Sequence, residues 1–174
     1  MVEFAFEKHM RENLPAHMPE KPVRKRGGDN SFFGLSDTRV SPLKSLKLQM
    51  NEINDEVALE KLRNALLHSH LKELDLSFNH IGTGGARQVA TALTQISTLE
   101  HLNLTHCHIS SKGAHTLFQV LAKNTRLKEL VADRNDFEGR RLRVLREFLA
   151  GNGGLQLLSL NQCNLGEDGA AYIA

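Results

Sequence analysis

The chain lacks the features that mark several large classes of protein. Its 174 residues contain no apolar run near the roughly 18 residues that a membrane-spanning helix requires. The opening stretch, MVEFAFEKHMREN, carries acids and bases where a secretory signal would carry an apolar core. Export through such a signal is therefore not expected, though specialised routes stay open. A net charge of +2 is too small to call for nucleic acid or an anionic membrane as partner. No glycine-rich phosphate loop follows a strand, because Gly82-Thr-Gly-Gly85 is short and lacks a Lys-Ser/Thr ending. Proline is scarce, and three of its four copies fall in Pro15–Pro22, where they break regular structure.

What the chain does have is a period. Leu43, Leu71, Leu99, Leu127 and Leu155 open similar phrases at intervals of 28 residues: LKSLKLQMNEI, LKELDLSFNHI, LEHLNLTHCHI, LKELVADRNDF and LQLLSLNQCNL. Self-similarity at such a period marks a stacked solenoid, since one unit alone cannot bury its apolar face. Within the second unit, Leu71, Leu74 and Leu76 make a short strand pointing inward, with Glu73, Asp75 and Ser77 pointing outward. Asn79 sits where the chain leaves the strand, and its amide can satisfy backbone groups in a ladder of turns. Gly82-Thr-Gly-Gly85 reads as a turn, after which Ala86, Val89, Ala90 and Leu93 recur at helical spacing. The third unit repeats this with Gly113, Ala114, Leu117, Phe118 and Leu121.

The asparagine slot is held by Asn51, Asn79 and Asn135, and by cysteine at Cys107 and Cys163. Strands lie about 4.7–4.9 Å apart, so positions two repeats away are about 10 Å apart. A disulfide tolerates a Cα separation of about 7 Å, so both thiols are expected to be buried and reduced. That fits a reducing, cytoplasmic compartment.

The pattern L-x-x-L-x-L-x-x-(Asn or Cys)-x-(apolar) is that of leucine-rich repeats. The 28-residue length, with Gly-Ala before the helix, resembles the ribonuclease-inhibitor type over residues 43–174. The resemblance implies an α/β leucine-rich repeat solenoid: a horseshoe with parallel concave strands, convex helices and an N-terminal cap. The chain divides accordingly into residues 1–42, an arm and cap, and residues 43–174, five units with the last incomplete. Compact repeat proteins of this kind also resemble effectors that intracellular bacterial pathogens deliver into host cells.

Departures are local. In the fourth unit Ala132 replaces a leucine, Phe137 fills the isoleucine slot, and Arg141-Leu142 stands in place of Gly-Ala, which is expected to move that helix outward. Leu142, Leu145 and Leu149 are its expected inner face. The first helix motif, Leu59, Leu62 and Leu66, is displaced by one residue. In the arm, Phe32, Phe33 and Leu35 are the expected plug over the first repeat, while Val2, Phe4 and Phe6 read as an edge strand or a short helix. The last repeat stops at Ala174, and an uncovered apolar edge invites association.

Candidate chemistry is thin. His106-Cys107-His108 resembles a metal or nucleophile cluster, but alternation splits it, with His106 on the open face, Cys107 inside and His108 on the rim beside His80. Zinc wants about four convergent ligands, and a nucleophilic thiol needs exposure beside a base. Neither catalysis, a cofactor nor a metal is expected. The open face carries Lys47, Gln49, Met50, Glu73, Asp75, Ser77, Phe78, His101, Asn103, Thr105, His106, Glu129, Asp133, Arg134, Ser159 and Asn161, types that repeat packing does not demand. Aromatic and apolar anchors among charges are what a protein-binding hot spot looks like. The expected function is non-catalytic binding, and inhibition, of a partner protein. Two rival readings stay open. One is an RNA- or nucleus-directed adaptor using Lys21–Arg26 and the arginines at 140, 141, 143 and 146. The other is a recognition fragment of a larger switch protein.

Overall fold

A computed structural model describes residues 43–54, 56–66, 69–138 and 143–173. The expectations for the arm, its plug, its basic run and the Arg141-Leu142 pair lie outside the described residues. Five three-residue strands, β1 (Ser45–Lys47), β2 (Glu73–Asp75), β3 (His101–Asn103), β4 (Glu129–Val131) and β5 (Leu157–Ser159), form one parallel sheet in sequence order. Helices α1 (Glu56–Leu66), α2 (Gly82–Leu93), α3 (Ser111–Leu121), α4 (Arg143–Gly151) and α5 (Gly166–Ile173) follow the strands in turn. Pairing is in register at the 28-residue period, with Leu46, Leu74, Leu102, Leu130 and Leu158 side by side. The period seen in sequence is the step of the sheet.

The core lies between the sheet and the helices. Leu71, Leu76, Leu99, Leu104, Leu127 and Leu130 have no exposed surface. Cutting such a leucine to alanine costs roughly 2–5 kcal/mol, through lost transfer energy and the cavity left behind. Ala86, Val89, Ala90 and Leu93 line the inner face of α2, and Ala114, Leu117, Phe118 and Leu121 that of α3. Leu59, Leu62 and Leu66 do the same for α1, displaced by one residue as the sequence indicates.

Turns are held by the amide ladder. The Asn79 side-chain oxygen accepts the backbone N–H groups of Asn51 and Ile53, both at 3.0 Å. Its nitrogen donates to the carbonyls of Leu48 and Leu76, both at 2.8 Å. Asn135 repeats the arrangement with Cys107, Ile109, Leu104 and Ala132. At Cys107 the thiol donates to the Leu76 carbonyl at 3.2 Å, and at Cys163 to that of Ala132 at 3.1 Å. Both cysteines are buried and free.

Two details differ from the sequence reading. Gly82-Thr-Gly-Gly85 is the first turn of α2 rather than a separate turn, and only Gly82 (φ +63°) needs glycine's left-handed freedom. Gly85 serves close packing, because an added Cβ would lie 2.5 Å from the Leu59 Cδ1 atom. In α4 the buried residues are Val144, Leu145 and Phe148, while Leu149 is 36% exposed. Phe148 stacks on Phe118, with ring centroids 5.3 Å apart, and Phe118 meets Phe137 edge-on at 6.0 Å. Leu158 and Leu160 of the last repeat are half-buried where Leu130 and Ala132 are fully buried, so the β5 edge presents apolar surface.

Candidate protein-binding surface

Alternation along each strand sends one side chain into the core and its neighbours outward. β2, β3 and β4 all show a buried central leucine between two half-buried residues. The outward residues of successive repeats lie beside each other and interact. Lys47 pairs with Glu73 at 3.0 Å, and Ser45 donates to the same carboxylate at 2.8 Å. Those two partners hold the Glu73 carboxyl below its ordinary range. His101 Nδ1 lies 3.0 Å from a Glu129 oxygen, an ion pair whenever the imidazole is protonated.

Asp75 and Asp133 do more than decorate the face. Asp75 accepts the Ser77 N–H at 2.9 Å and the Asn103 side-chain amide at 3.3 Å. Asn103 in turn accepts the Thr105 N–H at 3.0 Å. Asp133 accepts the Ser159 hydroxyl at 2.7 Å, the Asn161 N–H at 2.8 Å and the Asn161 amide at 3.1 Å. Partial burial pushes the Asp133 carboxyl up, but these three donors outweigh it and hold it below the usual carboxylate value. Local backbone geometry thus uses several residues that sequence periodicity assigns to binding alone.

Ser77 is a correction. It is only 4% exposed, and its carbonyl accepts the N–H of Met50 at 3.1 Å. Its counterparts Gln49, Thr105 and Asn161 stay exposed or half-buried, so the burial is particular to this repeat. Gln49, Met50, Phe78, His106, Arg134 and Asn161 are exposed, and Thr105 and Ser159 are half-buried.

At the turn after each strand the backbone takes a left-handed conformation at Met50, Phe78, His106, Arg134 and Gln162, with φ between 52° and 57°. His108 (φ 54°) repeats it two residues later. Left-handed residues at 106 and 108 bring both imidazoles to one side, with Cys107 beneath. A chain of four rings results. Phe78 and His106 have centroids 5.5 Å apart, His106 and His108 4.9 Å, and His108 and His80 4.2 Å in a stack 17° from parallel. Met50, 71% exposed, and Glu52 line the same hollow as Phe78 and His80. Arg134, Asp136 and Gln162 line the adjoining one with His106 and His108. Periodicity placed His80 beside His108 on the rim; it missed that the cluster joins Phe78, because a twofold alternation carries no information about left-handed turns.

Burial pushes the His108 imidazole pKa down, and the neighbouring His80 and His106 push the same way. No group of three or more His, Cys, Asp or Glu side chains converges as metal ligands among the described residues. Burial raises the Cys107 thiol to about 12, and raises Cys163 as well, so neither is a nucleophile at neutral pH. On α4, Arg143 and Arg146 are exposed. No described helix is long and apolar enough to cross a membrane.

Comparison with known proteins agrees with this architecture. The family profile described as "Leucine Rich repeat" matches residues 68–90 and 95–118. No curated protein sequence matches the chain. Among solved structures, the chain is similar to one titled "Leiomodin-1 Actin-Binding Site 2 (ABS2)" at 21% identity and TM-score 0.62, covering 72% of this chain and 73% of that one. It is also similar to the tropomodulin C-terminal domain of Caenorhabditis elegans at 14% identity and TM-score 0.66, covering 76% and 80%. At these identities the likeness establishes the fold. The chain has the α/β fold of a leucine-rich repeat solenoid. Domains of this build typically bind other proteins along their extended sheet face and are typically non-enzymatic.

Proposed function

We propose that the sheet face and its adjoining rim bind a partner protein without catalysing a reaction. The observation that carries this reading is the placement of Met50 and Phe78. Both occupy left-handed backbone, which costs an L-residue about 1–2 kcal/mol. Both remain exposed, at 71% and 39%, and neither enters the core. Asparagine or glycine would satisfy the turn at lower cost. A bulky apolar side chain held there supports a role as anchor for another molecule.

The finer points belong to the same proposal. The 28-residue unit of one strand and one helix supports the ribonuclease-inhibitor type, and with it inhibition of the partner by covering its functional surface. Buried free thiols support a reducing, cytoplasmic setting. Delivery into a host cell, which the effector resemblance implies, is tested by following the tagged chain into host cytosol during infection.

The test is affinity purification of the intact chain, with mass spectrometry of what co-purifies, against a Phe78→Ala/Glu129→Lys double variant. Glu129 is preferred to Asp75 for the charge reversal, because Asp75 also holds the Ser77 N–H. The variant is expected to lose the partner while keeping its melting temperature within a few degrees. Capture that survives the double change moves the site off this face.

A further inference from the structure

The outward strand positions and the rim positions that follow them carry an unusual balance of charge. Glu52, Glu73, Asp75, Glu129, Asp133 and Asp136 set six carboxylates against the two permanent cations Lys47 and Arg134, an excess of four negative charges. The whole chain carries +2, so this surface is opposite in sign to the rest of the molecule. The same surface holds four histidines, at 80, 101, 106 and 108. Full protonation of those four would cancel the excess.

We infer, resting on the protein-binding reading above, that this surface docks a basic, arginine-bearing segment of another protein at neutral pH and releases it in mild acid. Three features of the geometry carry the inference. The Phe78–His106–His108–His80 chain offers ring faces on which a guanidinium stacks, as cations favour the electron-rich face of a neutral ring. Carboxylates flank that chain, with Glu52 beside Phe78 and His80, and Asp136 beside His106 and His108. On the sheet, Glu73, Asp75 and Glu129 line one hollow with His101 between them, so an arginine entering there competes with His101 for Glu129.

Histidine is the side-chain type whose ordinary value lies between pH 5 and 8. Each protonated ring turns a cation-binding face into a repulsive one and, at His101, occupies Glu129 internally. Glu73 and Asp133 are held below the ordinary carboxylate range by their hydrogen-bond donors, so they stay charged at pH 5.5. Loss of binding between pH 7.5 and 5.5 therefore reports the histidines.

The probe is an acetylated and amidated peptide of alternating arginine and glycine, which has no group titrating in this range, against its glutamate counterpart. Both are titrated into the intact chain at fixed salt, with binding followed by NMR cross-peak shifts. The arginine peptide is expected to move Glu73, Phe78, His101 and His106 at pH 7.5. It should bind about tenfold more weakly at pH 5.5, the loss of one charge-assisted pair. The glutamate peptide should not bind at pH 7.5. Changing His80, His106 and His108 together to glutamine should remove most of the pH dependence. Should that variant fail to fold, the imidazole titrations of the wild-type chain decide instead, since a bound guanidinium must lower their midpoints. Equal binding at the two pH values, shifts confined to the helices, or no effect of the peptide on the imidazoles would overturn the inference. A partner captured through Phe78 and Glu129 that the arginine peptide does not displace would overturn this inference and leave the protein-binding reading standing. Capture indifferent to Phe78 and Glu129 would remove both.

Discussion

The imidazole of His108 lies flat against that of His80, one repeat away, with centroids 4.2 Å apart. Two positive charges at that distance repel by about 1 kcal/mol in water and several-fold more in a partly shielded site. His108 is therefore expected to titrate below the ordinary histidine value, the direction set by burial and by its two histidine neighbours. Because its folded value is depressed, the associated stability is present above the unfolded value and is lost as pH falls from there through the folded value. NMR titration of the imidazole protons checks this, and His80→Gln should raise the His108 midpoint. A midpoint at or above the free value would contradict the packing described.

Asn79 holds two turns at once, bonding Asn51, Ile53, Leu48 and Leu76 from a buried position. Asn79→Ala strands those groups, and each buried unsatisfied group costs about 1–3 kcal/mol. The expected loss is about 3 kcal/mol or more in urea unfolding. Cys107→Ala is expected to cost less, since a thiol is a weaker hydrogen-bond partner to begin with.

Both thiols are expected to resist a disulfide reagent in the folded chain and to react together on unfolding. Burial drives this: it raises Cys107 to about 12 and shields both sulfur atoms from solvent. Rapid labelling of the native protein would show that the asparagine slot is open.

On the opposite edge of the sheet, Glu100 sits between Lys128 and Lys72, the latter pair at 2.8 Å. Hydrogen bonds from Lys128 and then Lys72 lower its carboxyl to about 2. The folded value is depressed, so the stabilisation exists above the unfolded value near 4.3 and disappears as pH falls toward 2. Carboxyl NMR should show Glu100 still ionised at pH 3. Lys72→Ala with Lys128→Ala should return its midpoint toward the free value, and high salt should do so in part.

The fold was largely legible because its determinants repeat. Leu71, Leu74 and Leu76 recur at one spacing, and Asn79 and Asn135 recur at the slot where a buried amide can serve two turns. Legibility failed where tertiary contacts override the period. Phe148 is buried in place of Leu149 because it stacks on Phe118, a contact between repeats that no single repeat encodes. Ser77 is buried although its counterparts Gln49 and Asn161 are exposed, a difference between repeats that the period does not carry. The rim cluster stayed hidden for the same kind of reason. Three of its four rings, Phe78, His106 and His108, sit on left-handed backbone, which these residue types do not announce in a sequence.

Radical footprinting tests the central claim most directly, because the surface is built from oxidisable side chains. The chain, alone and with its captured partner, is exposed to hydroxyl radicals, and modification is read by mass spectrometry. Bound partner is predicted to protect Met50, Phe78 and His106 while leaving His115 on α3 unchanged. Protection of His115 with undiminished oxidation of Met50 and Phe78 would place the partner on the helices and contradict the account.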